Sequence, residues 1–152
     1  MFPSKNIVEN AVNSKDHTTL VTAVKAAGLV DTLQGAGPFT VFAPTNKAFA
    51  KLPAGTVETL VQPQSKQTLT SVLTYHVVPG RYTAKELSAL AKQGGGEAQL
   101  KTVQGEPLTV LTGKKGKGVF VADAKGNTAR VTTADVMQSN GVIHVIDTVM
   151  MP

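Results

Sequence analysis

Apolar positions follow a helical period through the first half of the chain and alternate through the second. In Asn6 to Ser14, Ile7, Val8, Ala11 and Val12 fall on one helical face. From Thr18 to Val30 the pattern repeats with Leu20, Val21, Val24 and Ala27; Thr18 is placed to cap that helix and Gly28 to end it. A further short turn follows, closed by glycines. The run GPFTVFAP, bounded by Pro38 and Pro44 and rich in β formers, predicts a short buried strand. Thr45 then caps a two-turn helix with Ala48, Phe49 and Leu52 inward, which Pro53 stops.

AGTVETLVQP predicts another short helix, and Leu69, Val72 and Leu73 mark the next. That helix leads into a predicted strand, YHVVPG, with Tyr75 and His76 on opposite faces. Thr83 and Glu86 have capping-box spacing ahead of a helix that Gly94, Gly95 and Gly96 end. Five strand candidates complete the chain: AQLKTV, PLTVLTG, GVFVADAKG, NTARVTTADVM and GVIHVIDTVMMP. Lys125-Gly126-Asn127 reads as a hairpin tip and Asn140-Gly141 as the strongest turn. Both faces of the last strand are apolar, with Val142, His144 and Ile146 on one and Ile143, Val145 and Val149 on the other. It should be central.

The 152 residues suit one domain, and no Pro/Ser-rich linker or repeat divides them, so residues 1–152 are read as a single unit. Cysteine is absent, which removes disulfides, thiolate metal sites and a cysteine nucleophile. A net charge of +5 favours acidic partners. The densest basic cluster, Lys114, Lys115 and Lys117, is interleaved with glycine and has no aromatic neighbours. It reads as a solvated loop suited to an acidic glycan, and not as a nucleic-acid surface. No apolar segment is long enough to span a bilayer. The N-terminus lacks a signal-peptide pattern, which fits either a cytosolic protein or a mature form with Met1 added.

Three stretches together resemble the fasciclin-like (fasciclin I type) domain family: GPFTVFAPTNKAFAKLP, LTYHVVPG and ADVMQSNGVIHVIDTVMMP. Their order and spacing span essentially the whole chain. The motif positions are Thr40, Phe42, Ala43, Pro44 and Thr45 in the first block, Tyr75 and His76 in the second, and Asn140, Gly141 and His144 in the third. The resemblance implies an α+β fold, a β-wedge or sandwich of two sheets with several short helices packed along one side. It also implies an exported, non-enzymatic adhesion module resembling the bacterial single-domain members, with a protein or polysaccharide of a cell surface or matrix as partner and no cofactor.

The resemblance attaches adhesion to Tyr75 and His76; the alternative is that both rings are buried and clamp a helix end to the sheet. Asp135, Val136 and Met137 match the position where family members carry an acid followed by two apolar residues, linked in animal proteins to integrin recognition. Here they are either a contact or an Asx-type turn beside core side chains. His17 is expected to face solvent. His144 reads as a core histidine. It has no ligand set around it in sequence: no H-x-H or H-E-x-x-H occurs, and Asp147 falls on the opposite strand face, so no metal is expected. G-x-S-x-G, a phosphate loop and a calcium loop are also absent. Two further readings stand beside adhesion. One is a small-molecule or lipid site in a groove between sheet and helices; the other is a hydrolase using His76 or His144. Strand edges that pair between chains read like those that do not, so the sequence sets no oligomeric state.

Overall fold

The computed structural model describes residues 5–35, 38–52, 55–60, 62–112, 119–123 and 126–150. Four short helices surround the first strand in sequence: α1 (Ile7–Val12), α2 (Thr18–Ala27) and α3 (Val30–Gln34) precede β1 (Phe39–Pro44), and α4 (Asn46–Ala50) follows it. Then come α5 (Thr56–Leu60), α6 (Lys66–Tyr75), β2 (Val77–Pro79) and α7 (Ala84–Gln93). The chain closes with β3 (Glu97–Lys101), β4 (Pro107–Thr112), β5 (Val119–Ala122), β6 (Thr128–Gln138) and β7 (Gly141–Ile146).

The strands form one mixed sheet in the order β2-β1-β7-β6-β5-β4-β3. Strand β6 is its corner. Its first residues, Thr128 to Arg130, pair with β5, and the remainder pairs with β7. Two register shifts, between Val131 and Thr133 and between Thr133 and Val136, bend the strand between these duties. The two halves of the wedge are therefore continuous through β6. Their far ends also meet, because the Val103 N–H, just beyond β3, donates to the Val77 carbonyl in β2 at 2.8 Å. The fold is α+β, a nearly closed wedge carrying several helices.

Strand β7 lies centrally, parallel to β1 and antiparallel to β6. Its two faces feed two cores. Ile143, with Val41 and Ala43 of β1, packs against α1, α2, α3, α4 and α6. Ile146 and Phe42 point into the wedge, where Leu108, Val110, Val121 and Met150 gather under Leu87 of α7. Pattern and structure agree on most inward residues but not on Val12, which is half exposed at the end of α1.

Two local expectations are corrected. Tyr75 and His76 do not sit on a strand: Tyr75 ends α6, His76 caps its C-terminus, and only Val77–Pro79 is extended. Thr18 does not cap α2. That role falls to Asn46, whose Oδ1 accepts from the Thr19 N–H at 3.0 Å and from the Thr18 hydroxyl at 3.2 Å. Thr45 and Thr83 do cap their helices, and Thr83 and Glu86 complete a capping box.

Candidate functional site

The motif residues hold the wedge together. Thr40 Oγ1 donates to the Gly80 carbonyl at 2.7 Å and accepts from the Tyr82 N–H at 2.9 Å, fixing the loop that leads to α7. Ala43, almost fully buried, lies on the face that meets the helices. Pro44 closes β1, and Thr45 N–H bonds the Ile146 carbonyl before its side chain caps α4. Asn140 is buried, and its amide ties three segments: Oδ1 accepts from Ile7 N–H, while Nδ2 donates to the carbonyls of Leu33 and Gly35. At Gly141 any Cβ would collide with the Phe39 carbonyl oxygen of the neighbouring parallel strand.

All three histidines are buried, including His17, which the sequence placed in solvent. His17 sits in a 3₁₀ turn between α1 and α2, with Nδ1 at 2.8 Å from the Ser14 hydroxyl. His76 Nε2 accepts from the Met150 N–H at 3.0 Å, so its Nδ1 carries the proton and donates to the Val72 carbonyl at 2.7 Å. His144 has the opposite tautomer. Its Nδ1 accepts from the Asp135 N–H at 3.2 Å, and Nε2–H donates to the Tyr82 carbonyl at 2.7 Å. The Phe42 ring stacks on it, with centroids 5.7 Å apart.

Burial holds all three imidazoles neutral. Desolvation pushes His76 down to about 4, against the opposing pull of the Val72 carbonyl and the Asp123 charge. It lowers His144 as well, opposed by the Tyr82 carbonyl and Asp135. Tyr75 is fully buried and donates its hydroxyl to the Pro107 carbonyl at 2.9 Å. Tyr75 and His76 therefore clamp the end of α6 to the sheet, and the reading of them as a contact surface is withdrawn: neither ring reaches solvent. With both nitrogens of His76 and His144 bonded to backbone, neither ring is free to act as a general base. Among the described residues no group of three or more His, Asp or Glu side chains converges as a metal site.

The segment Asp135–Met137 divides. Asp135 is exposed and stands at φ 58°, an unusual conformation for a residue with a Cβ. Its Oδ1 accepts from the Ala84 N–H at 2.7 Å, so the β6 bulge is pinned to the first turn of α7. Val136 is half-buried against the helical core, and Met137 is half-buried in register with Val142. Two exposed apolar anchors beside an acid are thus not present. Lys114, Lys115 and Lys117 lie outside the described residues.

Asp135 stands beside a shallow groove of about 320 Å³ that runs between α7 and β6. Ala84, Lys85 and Ser88 line one wall and Thr132 and Ala134 the other, with Val131 and Val119 also lining it. Sequence reasoning missed Lys85, Ser88 and Thr132. The available signal was the capping box, which fixes α7 from Ala84 and so sets Lys85 and Ser88 three apart on one face.

A family model described as "Fasciclin domain" matches residues 15–152. Protein sll1483 of Synechocystis is 51% identical over 146 residues, covering 96% of this chain and 73% of that protein. The cell surface glycolipoprotein MPB83 of Mycobacterium bovis is 35% identical over 147 residues, covering 93% of this chain and 58% of that protein. In structure, the chain superposes on a FAS1 domain pair from the insect cell adhesion molecule Fasciclin I with a TM-score of 0.86. That match has 21% identity and covers 99% of this chain and 52% of the other, a likeness of fold. With the motif residues at the hydrogen-bonded joints of this wedge, the chain belongs to the fasciclin domain family.

Proposed function

We propose that this domain is a non-catalytic recognition module working outside the cell, and that it meets its partner along the α7–β6 edge. The observation that carries this is the exposed bulge at Asp135. It is held in an unusual backbone conformation by its bond to α7, beside a groove lined by Lys85, Ser88 and Thr132. A rigidly presented polar edge can recognise without a moving part, since little ordering is needed on binding. The name of the relative MPB83 supports display at a cell surface. A net charge of +5 supports an acidic polysaccharide or an acidic protein face as the partner class. Lys114, Lys115 and Lys117 contribute to that net charge.

The test is binding of the purified domain to acidic and neutral glycans and matrix proteins at low and physiological salt. Saturable binding to acidic probes should weaken with salt. Lys85→Ala with Thr132→Ala should weaken it about tenfold, the loss of one charge-assisted hydrogen bond. Equal binding to neutral and acidic probes, unchanged by salt and by the variants, would remove this reading.

A further inference from the structure

Asparagine is a chemically labile residue, and it is most labile before glycine. With no side chain on Gly141, nothing hinders its backbone nitrogen from reaching the Asn140 side-chain carbon. Yet both residues are needed where they stand. At Gly141 a Cβ would collide with the Phe39 carbonyl oxygen. At Asn140 one side chain must accept from the Ile7 N–H and donate to the carbonyls of Leu33 and Gly35. An amide carries an acceptor and two donor hydrogens, whereas a carboxylate offers acceptors alone. The turn into the central strand β7 is therefore built on a labile pair.

We propose that Asn140 is a modification site guarded by the fold: it persists as asparagine in the folded domain and is deamidated in unfolded chains, which disables the turn it holds. The reaction needs water and no enzyme. The Gly141 backbone nitrogen gives up its proton and bonds to Asn140 Cγ, the Cγ–Nδ2 bond breaks, and Nδ2 leaves as ammonia. Water then opens the cyclic imide at either carbonyl, giving aspartate or isoaspartate. Three features of the folded domain oppose the first step. The leaving nitrogen is held by two carbonyls, at 2.7 and 2.8 Å. The peptide group joining the two residues is held as well: the Asn140 carbonyl accepts from the Phe39 N–H at 3.0 Å, and Gly141 is in register with Phe39 and Gln138. Asn140 is also buried, which keeps out the base that takes the proton and the water that opens the imide. The products do not fit the same place. An ionised carboxylate faces the Leu33 and Gly35 carbonyls with no proton to offer, and a protonated one has a single proton for two acceptors. Isoaspartate also lengthens the main chain ahead of β7, against the pairing of Gly141 with Phe39. Deamidation thus turns reversible unfolding into an irreversible loss of stability.

The test uses the unaltered domain, incubated at one pH and temperature over a range of guanidinium chloride. Mass spectrometry follows the amide-to-acid change in the tryptic peptide 131–152, in which Asn140 is the only asparagine. The rate should rise in step with the unfolded fraction, because a reaction confined to the open state follows its population. Without denaturant it should be at least about a hundredfold slower than in the fully unfolded chain, a modest share of the protection that global stability allows. Modified and unmodified chains from one incubation differ in charge and can be separated. On removal of denaturant the unmodified chains should regain their original unfolding midpoint, and the modified ones should show a clearly lower midpoint or stay unfolded. A smaller ratio of rates, a rate that ignores the unfolded fraction, or modified chains with the original midpoint would each overturn the proposal. No binding at the α7–β6 edge enters these readouts.

Discussion

Asn140 directs its whole amide group inward, to α1 and to the end of α3, from the turn before the central strand. Removing it orphans one N–H and two carbonyls at a largely buried site. Asn140→Ala should therefore destabilise the domain by about 3 kcal/mol, at roughly 1 kcal/mol for each hydrogen bond lost. Urea unfolding followed by circular dichroism measures it, and a loss below about 1 kcal/mol would show that the three bonds are readily replaced. The sequence showed Asn140-Gly141 as a turn, since that dipeptide carries its own backbone signal. It did not show where the side chain goes, because Ile7 and Leu33 lie more than a hundred positions away. His17 was misplaced for the same reason: a lone polar residue before a helix looks solvated until its tertiary surroundings are known. Tyr75 failed differently. Tyr-His-Val-Val is rich in β formers, yet the register that buries Leu69, Val72 and Leu73 carries the helix on to Tyr75.

Helix α2 lacks a local side-chain cap and takes one from a distant residue. Asn46 belongs to the first turn of α4, and its Nδ2 also donates to the Lys15 carbonyl at 3.0 Å. Asn46→Ala should cost about 1–2 kcal/mol, an N-cap loss plus the tie to the 3₁₀ turn. Thr18→Ala should cost less, since Thr18 makes one exposed side-chain bond to Asn46. If Thr18→Ala proved the more damaging of the two in thermal melts, the assignment of the cap would be wrong. Elements with a local start signal, such as α4 behind Thr45 and α7 behind Thr83, were legible in sequence. The strand character of β3 to β7 was also legible, including the apolar faces of β7 that mark it as central. The division of β6 between two partners was not, because its bend comes from two register shifts against β7 and from no proline or glycine within Thr128–Gln138. Asp135 bears that irregularity in the left-handed region, so Asp135→Gly relieves strain but loses the bond to Ala84. The two effects oppose, and the net change in stability should be within about 1 kcal/mol, read by the same melts.

Across the whole molecule, three neutral buried imidazoles make stability depend on pH. An ordinary imidazole takes its proton near 6.5, whereas folded His76 does so only near about 4. Between those values the unfolded chain holds more protons than the folded one, so stability falls as pH falls. The His76 contribution is complete above pH 6.5, declines from there to about pH 4, and then levels off. Over that span it amounts to about 3 kcal/mol. His17 and His144, both lowered chiefly by burial, act in the same direction. Urea midpoints at pH 7.5, 6, 5 and 4 should drop steadily, and a flat profile would mean that the rings accept protons without leaving their backbone partners. The same burial that makes the histidines structural leaves the outer edge of α7 and β6 as the surface we propose for recognition. The most direct test of that claim is an amide chemical-shift map of the labelled domain titrated with an acidic oligosaccharide. The account predicts saturable shifts centred on Lys85, Ser88, Thr132 and Asp135, fading as salt is raised. Saturable shifts elsewhere, with these four residues unmoved, would contradict it.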